Sequence, residues 1–513
     1  MNNDNRLLAA FFGLTLVAAG CATTAPTSSP EALSFGEASV YAEALLSRTD
    51  LSNAYWGIRF VRLDNGTEVY THNESTSFVP ASNTKLYTTA AAIDQLSEDF
   101  RFVTPVFAAG EVQDGVLRGD LVIRGSGDPS IGGRFHDGDR IAIFRQWAQK
   151  LRESGIERIS GTIVGDDTLF DDLPLGSGWM WDDETYSYSA QVGALSFNDN
   201  CIDVSITGTT PGKAAEVSWE PFDTPYAAVT NRTLTVVDSV ETEESYFRPR
   251  ASNRFTVSST VHPGDTITQS LSIHNPTEYF VSVLRSVLID SGISVDGYAV
   301  DIDDWSPPED ARPLRKLFEH ESPSLAELAA VVNKRSHNLY AEQILRALGG
   351  VVTTTDATTT DSSDPDKTTA ELGIDAATRT WAAAGIDTSR IQLVDGSGLS
   401  RYNLVTARMT SKLLEFMWHG DDAGKRSAFL ESLSVGGVDG TIGSRFRSPA
   451  MSGRVMAKTG TVSNVSSLSG YVTTNDGIPL AFTIMSNNFT VETDTVRTVQ
   501  DKIVTAFTFA MQD

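Results

Sequence analysis

The chain carries Val79-Pro80-Ala81-Ser82-Asn83-Thr84-Lys85 ahead of an alanine-rich run, which predicts a helix that begins near Ser82. Residues three apart lie on one face of a helix, so the Ser82 hydroxyl and the Lys85 amine can meet. A serine becomes a nucleophile when a base lies beside it. A lysine can be that base if burial lowers its pKa from ~10.4 towards 7–8. The stretch predicts a reactive pair, with a solvated helix lysine as the alternative.

Two later motifs carry further chemistry. Ser336-His337-Asn338 falls between two helical stretches, although such triplets usually serve turns and caps. Lys458-Thr459-Gly460-Thr461 lies in a run with β-strand character, where alternation places Lys458 and Gly460 on one face. A glycine there leaves room for a ligand backbone, and a lysine offers a cation for a carboxylate. The alternative for Lys458 is a solvated lysine on an edge strand.

In this order, the three motifs resemble the signature set of serine β-lactamases and penicillin-binding proteins. Ser82 and Ser336 lie 254 residues apart (336 − 82), which is more than a β-lactamase needs. This large insertion resembles the class C low-molecular-mass penicillin-binding proteins, the D-alanyl-D-alanine carboxypeptidase/endopeptidase family. Further stretches agree: Gly125-Ser126-Gly127-Asp128-Pro129, Gly178-Trp179-Met180-Trp181-Asp182-Asp183, Ser336-His337-Asn338-Leu339-Tyr340-Ala341-Glu342 and Asp395-Gly396-Ser397-Gly398-Leu399-Ser400.

The resemblance implies an α+β fold in which a serine β-lactamase/DD-transpeptidase-like domain is split by a large β-rich insertion. The predicted boundaries are 38–103 and 306–513 for the transpeptidase-like domain and 104–305 for the inserted accessory part. The pattern of apolar residues predicts a hairpin over 55–70 and helices over 325–348, with the second motif between them. The Thr/Asp-rich stretch 352–367 predicts a surface loop.

Roles for four residues follow from the resemblance alone. It implies that Ser82 attacks the carbonyl between two terminal D-alanines of a peptidoglycan stem peptide and forms an acyl-enzyme. Lys85 takes the proton of Ser82, and Ser336 relays protons between the lysines and the leaving amine. Asn338 hydrogen-bonds the substrate amide and orients Lys85. The implied reaction is hydrolysis, because water then deacylates the serine.

The third motif is expected to bind the substrate. The resemblance implies that Lys458 and Thr459 hold the terminal carboxylate of the peptide. It also implies that the backbone N–H groups of Ser82 and Thr461 form the oxyanion hole, where losing one donor typically costs ~3 kcal/mol. β-Lactams are expected to imitate D-alanyl-D-alanine and trap the acyl form.

The N-terminus predicts export. Leu7 to Gly20 form an apolar run of fourteen residues, which spans only ~21 Å as a helix and is short of a ~30 Å bilayer core. Residues 1–20 therefore resemble a signal peptide, and Cys21 resembles the lipidated cysteine of a bacterial lipoprotein. Ala22 is compatible with sorting to the outer membrane, and residues 21–37 are a predicted tether. We expect a periplasmic, outer-membrane-anchored lipoprotein, with a secretory signal followed by an incidental cysteine as the alternative.

Charge and cysteine count narrow the possible partners. The net charge of −26 repels phosphate backbones, so nucleic-acid binding is not expected. The two cysteines cannot make a cysteine-rich zinc site, and the chain lacks a His-Glu-x-x-His motif. We therefore expect no metal or other cofactor. Cys201 is predicted to be a buried small apolar residue.

Further polar residues are candidates for the cleft. In a glycine-rich loop, Asp395, Ser397 and Ser400 either line the cleft or cap the next helix. Asp171 and Asp172 either receive the free amine of a diamino-acid side chain or are solvated carboxylates. His337, the middle residue of the second motif, is expected to be exposed.

Two rival functions stay open at this point. The first is a β-lactamase or esterase on the same scaffold, which would turn penicillin over rapidly. The second is a lipoprotein without catalytic activity that only binds peptidoglycan or organises partners. The combination of Ser82, Lys85 and Asn338 argues against the second, since a scaffold has no physical need for it.

Overall fold

The computed structural model describes residues 33–221, 226–306, 313–355 and 366–511. The predicted signal peptide, Cys21 and part of the tether lie outside the described residues, as does most of the predicted surface loop. Within the described residues the chain forms ten α-helices: α1 Phe35–Leu46, α2 Thr84–Leu96, α3 Ala142–Glu153, α4 Pro276–Asp290, α5 Leu325–Lys334, α6 Asn338–Thr355, α7 Thr369–Ala383, α8 Ala407–His419, α9 Ala423–Ser432 and α10 Thr493–Phe509.

The same residues form strands that assemble into several sheets. The strands are β1 Tyr55–Arg62, β2 Glu68–His72, β3 Ser77–Phe78, β4 Val103–Gln113, β5 Val116–Arg124, β6 Arg158–Ile159, β7 Ile163–Asp166, β8 Cys201–Thr207, β9 Glu216–Glu220, β10 Ala228–Asn231, β11 Leu234–Thr235, β12 Tyr246–Phe247, β13 Arg254–Val257, β14 Thr260–Val261, β15 Thr266–Ser272, β16 Ser294–Val295, β17 Ala299–Asp301, β18 Arg315–Glu321, β19 Val405–Thr406, β20 Ser434–Val435, β21 Val455–Val462, β22 Val465–Thr473 and β23 Pro479–Asn487. The predicted hairpin over 55–70 is confirmed as β1 and β2.

A six-stranded antiparallel sheet carries the third motif. Its order is β2-β1-β23-β22-β21-β20, so the first and last parts of the chain meet in one sheet. Helices α1 and α10 contribute to an apolar cluster with this sheet, and α8 packs against β1 and β23. Strand β22 is buried along almost its whole length, as expected for a strand covered on both faces.

Helix α2 lies inside the protein rather than on its surface. All of its residues from Thr84 to Ile93 are buried, among them three consecutive alanines. It packs against α5, α6, α7, α8 and α9, which surround it in one apolar cluster. A helix buried on every side exposes no polar face to water, so a lysine on it must find its partners inside the protein.

The β-rich segment has an apolar cluster of its own. Its buried members run from Val106 to Val295, and Phe318 of β18 packs against them. Strand β18 also pairs with β4, and both strands belong to a seven-stranded sheet. The α+β fold with an inserted β-rich segment is therefore present, and the insertion limits of 104 and 305 remain a prediction.

The prediction that the second motif falls between two helical stretches within 325–348 is confirmed. Helix α5 ends at Lys334 and α6 begins at Asn338, because Ser336 adopts a left-handed backbone conformation with φ 58°. Helix α6 then continues to Thr355, so the predicted loop from 352 was wrong in its first residues. The break places the second motif at the N-terminus of α6, beside the buried face of α2.

Candidate active site

The serine and lysine of the first motif meet as expected. Ser82 lies in a short 3₁₀ turn, Ala81–Asn83, and α2 begins two residues later than predicted, at Thr84. The Nζ of Lys85 is 3.0 Å from the Oγ of Ser82. Ala81 has a φ of 48°, an uncommon conformation for a residue other than glycine, and the turn presents Ser82 half-buried at the helix start.

The Lys85 amine is fully buried, with 0% of the residue exposed. It donates to Asn338 Oδ1 and to the main-chain oxygen of Ser397, each at 2.6 Å. Among the described residues it makes no ion pair with a carboxylate. Burial lowers the pKa of Lys85 to about 7, and the charges of Asp395 and Glu342 oppose that shift. The amine can therefore be neutral near physiological pH.

The second motif contacts both lysines. Ser336 Oγ accepts a hydrogen bond from Lys458 Nζ at 2.8 Å. Asn338 receives the Lys85 hydrogen bond on its Oδ1, and its Nδ2 donates to the main-chain oxygen of Tyr188 at 2.6 Å. A polar path thus runs from Lys85 through Asn338 to the inserted segment, and a second one runs from Lys458 to Ser336.

Lys458 is as deeply buried as Lys85, with 0% exposed. Burial, followed by the nearby Lys85, holds the pKa of Lys458 well below its usual value. Its Nζ also donates to the main-chain oxygen of Thr459 at 2.7 Å. Thr459 donates its hydroxyl to Thr441, and Thr461 accepts from Arg497.

Two glycines permit the close approach of the third motif and of the glycine-rich loop to the first motif. A Cβ on Gly460 would lie 2.6 Å from the main-chain oxygen of Pro80 and 3.0 Å from the main-chain nitrogen of Ser82. A Cβ on Gly398, where φ is 82°, would lie 1.9 Å from the main-chain oxygen of Ala81. The space where a side chain of residue 460 would lie is taken by the chain's own Pro80–Ser82 segment, and the approach of a ligand backbone to the strand edge stays a prediction.

A cavity of about 440 Å³ opens above these residues. Ser82, Ser336 and Asn338 line one part of it, and we call them the floor. The inserted segment supplies a wall of four residues, Met180, Asp182, Asp183 and Tyr188. Leu399, Arg401 and Thr461 line the opposite side. Lys85 and Lys458 lie beneath the floor and are not part of the cavity surface.

The wall residues were not among the predicted cleft residues. The carboxylates predicted as alternatives for binding an amine were Asp171 and Asp172. Neither of these lines the cavity. Asp171 instead accepts hydrogen bonds from the main-chain nitrogen and the hydroxyl of Thr369, at the start of α7. The carboxylates that line this cavity are Asp182 and Asp183.

The polar side chains of the glycine-rich loop stabilise the loop itself and do not line the cavity. The Asp395 carboxylate accepts from the main-chain nitrogens of Gly398 and Ser400 at 2.8 and 2.7 Å, and from Trp179 Nε1 at 3.0 Å. Ser397 and Ser400 are fully buried, and the next helix is capped by Thr406. Both alternatives considered for these side chains were wrong: they hold the loop, and its backbone serves Lys85.

Two further residues complete the comparison with the sequence. His337 was expected to be exposed, but its side chain is only 17% exposed and its Nε2 is 3.2 Å from Asp199. Cys201 is buried and unpaired, which confirms the prediction for it. Among the residues that the structure describes, no three His, Cys, Asp or Glu side chains are grouped to hold a metal ion.

A serine beside a buried, unpaired lysine at the base of a cleft defines a serine acyl-transfer hydrolase. The model of the D-Ala-D-Ala carboxypeptidase 3 (S13) family matches residues 39–508. The chain therefore belongs to that family, which confirms the resemblance predicted from the three motifs.

Similar proteins agree with this assignment. A D-alanyl-D-alanine carboxypeptidase from Actinomadura sp. (strain R39) is 32% identical over 464 residues, which cover 87% of this chain and 80% of the relative. The D-alanyl-D-alanine carboxypeptidase DacB of Haemophilus influenzae is 27% identical, with 82% of each chain covered. The crystal structure of penicillin binding protein 4 (dacB) from Haemophilus influenzae superposes with a TM-score of 0.75 at 24% identity, over 92% of this chain and 99% of that one. The fold is thus shared over almost the whole described chain.

None of the helices in the described ranges combines the length and the hydropathy that a bilayer crossing requires.

Proposed function

We propose that Ser82 is the nucleophile of this serine-type D-Ala-D-Ala carboxypeptidase and that the cleft hydrolyses the terminal D-alanyl-D-alanine bond of peptidoglycan stem peptides. One observation carries the proposal. The Nζ of Lys85 is buried, makes no ion pair among the described residues and lies 3.0 Å from Ser82 Oγ. A neutral amine in that position can accept the hydroxyl proton.

Acylation proceeds in two steps. Ser82 Oγ attacks the carbonyl carbon of the penultimate D-alanine, and its proton passes to Lys85 Nζ. The backbone N–H groups of Ser82 and Thr461 stabilise the negative oxygen of the tetrahedral intermediate. The C–N bond then breaks, and a proton delivered through Ser336 converts the leaving nitrogen into the amine of free D-alanine. The product is an ester between the shortened peptide and Ser82.

Deacylation returns the enzyme to its starting state. A water molecule attacks the ester carbonyl and gives a proton to Lys85, and the C–O bond to Ser82 breaks as the hydroxyl regains its proton. The net reaction consumes one water and yields one D-alanine and a peptide one residue shorter. Asn338 holds Lys85 in line with Ser82 throughout, because it fixes one of the amine's N–H groups.

The substrate carboxylate binds beside the third motif in this proposal. Thr459 and Thr461 carry hydroxyl groups there. Lys458 lies beneath the cavity and acts on the carboxylate through its hydrogen bond to Ser336. Two buried amines that repel each other are not both charged at neutral pH. An arriving carboxylate favours the proton on Lys458, so Lys85 stays neutral and basic. Arg401 on the cavity surface adds positive charge, although the chain carries −26 overall.

The proposal is tested with a fluorescent penicillin and with a stem-peptide substrate. The wild-type protein is expected to form a covalent adduct and to release D-alanine from a peptide that ends in D-Ala-D-Ala. Ser82→Ala is expected to do neither, while a matched exposed-serine variant, Ser427→Ala on α9, labels like wild type. Labelling of Ser82→Ala would overturn the assignment of the nucleophile. Turnover of penicillin as fast as its acylation would favour a β-lactamase instead.

The enzyme is proposed to work at the periplasmic side of the outer membrane, anchored through a lipid on Cys21. What supports this is the sequence alone: an apolar run over 7–20 that ends in small residues and is followed directly by Cys21. Mass spectrometry of the mature N-terminus tests it. A diacylglyceryl group on Cys21 is expected, and Cys21→Ser is expected to release the protein from membranes. An unmodified mature N-terminus elsewhere would contradict the anchor.

A further inference from the structure

Glu342 lies on α6, four residues after Asn338, and is 1% exposed. Its Oε1 accepts hydrogen bonds from the main-chain nitrogens of Gly396 and Ser397, at 3.0 and 2.8 Å. These nitrogens belong to the turn whose Ser397 carbonyl accepts from Lys85. Residues four apart share one face of a helix, so Asn338 and Glu342 reach towards the same amine from one surface of α6. Asn338 contacts the amine directly, and Glu342 contacts it through the turn.

The contacts of Lys85 fix the direction of its lone pair. A neutral amine has two N–H donors and one lone pair. The Asn338 Oδ1 and the Ser397 carbonyl oxygen are acceptors only, so each takes one N–H at 2.6 Å. The third neighbour, Ser82 Oγ at 3.0 Å, is a hydroxyl and can donate. The lone pair therefore points at Ser82 only while both acceptors keep their places.

We propose that Glu342 is a positioning residue for the reaction: by holding the 396–397 peptide, it keeps the Ser397 carbonyl on Lys85 and so aims the base at Ser82. This rests on the proposed function, in which Lys85 deprotonates Ser82. A buried carboxylate is a costly choice for a merely structural turn, since a neutral side chain would accept the same two N–H groups. Its charge has a second effect, because it lies close enough to stabilise a proton on Lys85.

The charged groups around the pair can be named from each neighbouring element. Asp395 faces it from the glycine-rich turn, Lys458 from β21, and the buried Arg346 lies further along α6. Burial and then Asp395 raise the pKa of Glu342, and Arg346 opposes this. Removing the Glu342 charge takes away one group that favours the protonated form of Lys85. The pKa of Lys85 is then expected to fall, and acylation to persist to lower pH.

Three variants test the proposal through the second-order rate constant for acylation by a fluorescent penicillin, measured from pH 5 to 9. Glu342→Gln keeps an acceptor oxygen and loses the charge. The low-pH limb of its pH–rate profile is expected to move to lower pH by about half a unit. Glu342→Ala loses the acceptor as well, and its plateau rate is expected to fall at least tenfold, with kcat rather than KM affected in peptide hydrolysis. Glu431→Gln, on the exposed surface of α9, removes the same charge far from the turn and is expected to match wild type.

The outcomes separate this proposal from the function it rests on. If Glu342→Ala unfolds, the result for Glu342→Gln alone decides the test. Glutamine is nearly the same size as glutamate, and the folding of this variant is followed by thermal melting. A folded Glu342→Gln with an unshifted low-pH limb would overturn the proposal, and so would a folded Glu342→Ala that acylates at the wild-type rate. If the wild type itself shows no acylation, or if Ser82→Ala is labelled, the proposed function fails instead.

Discussion

The floor of the cleft and the wall that the inserted segment supplies differ in their exposure to water. Beneath the floor, Lys85 and Lys458 are both 0% exposed, and their hydrogen-bond partners among the described residues are all neutral groups. In the wall, Asp182 and Tyr188 are exposed to solvent, and the neighbouring Trp181 is 68% exposed. The lysine pKa values shift because water is excluded, whereas the wall offers charges and rings that water reaches freely. In the proposed function, the first region carries out the chemistry and the second recognises the substrate.

This difference sets the size of the effects that substitutions should have. A buried polar group left without its partner costs 1–3 kcal/mol or more, and a misplaced base loses most of its catalytic contribution. An exposed charge contributes about 0–1 kcal/mol and is screened by salt. Variants beneath the floor should therefore change acylation by orders of magnitude, and variants in the wall by a few fold.

The largest effect is expected from Lys85→Met. Methionine fills a similar apolar space but cannot accept a proton, so general-base catalysis, worth about 10²–10⁴, is lost. Acylation by a fluorescent penicillin is expected to slow about a thousandfold, while the melting temperature stays the same or rises because a buried amine is gone. Stopped-flow labelling measures the rate. An unchanged rate would show that Lys85 takes no part in the reaction. It would also contradict the distinction between the two regions.

Gly460→Ala is expected to have the next largest effect. Its Cβ would lie 2.2 Å from Ser467 Oγ and 2.6 Å from the Pro80 oxygen, so the strand must move away from Ser82. Overpacking of this kind costs about 1–3 kcal/mol of stability. Acylation is expected to fall about a hundredfold, because a displacement of the nucleophile by 1 Å is enough for that. Gly420→Ala, where φ is −53° and an added Cβ would meet no atom closer than 3.7 Å, is the control. Equal acylation rates in both variants would contradict the close packing.

Asn338→Ala is expected to slow acylation about thirtyfold, because one of the two acceptors that aim Lys85 disappears. The same substitution frees the Tyr188 carbonyl in the wall, so KM for a stem peptide should also rise. Steady-state hydrolysis of the peptide separates the two changes. An effect on KM alone would place Asn338 with the wall rather than with the floor.

The smallest effect is expected from Asp182→Asn in the wall. Since this carboxylate is exposed, its loss should raise KM for a stem peptide with a free side-chain amine two- to fivefold. The difference should shrink at 0.5 M salt, where exposed charges are screened. The hydrolysis of a peptide whose amine is acetylated serves as the control. A hundredfold loss, or one that salt does not alter, would mean that the wall takes part in the chemistry.

The sequence predicted the floor better than the wall. Ser82, Lys85, Ser336 and Asn338 are recognisable because each role needs one residue type at a short, fixed spacing. The Ser397 contribution is a main-chain carbonyl, which any residue supplies and no motif marks. Glu342 shows only as an acid four residues after Asn338, a spacing common on helices. Such contacts depend on how the turn closes over α2.

The wall was missed for a different reason. Asp171 and Asp182 both lie in polar, turn-rich sequence, and nothing local separates them. The structure distinguishes them through tertiary contacts: Asp171 binds the start of α7, while the Trp179 indole bonds to Asp395 and holds the following residues at the cleft. A break between helices within 325–348 was predicted, but the left-handed conformation of Ser336 that forms it is not visible in the sequence pattern.

The most direct test of the account is the pH dependence of the acylation rate constant of the wild-type protein. Burial lowers the pKa of Lys85 to about 7, and only the neutral amine can take the Ser82 proton. The rate should therefore rise about tenfold per unit from pH 5 to 6 and reach a plateau above pH 7 to 8. A rate that is flat from pH 5 to 8, or one that still rises towards pH 10, would contradict a buried neutral lysine as the base.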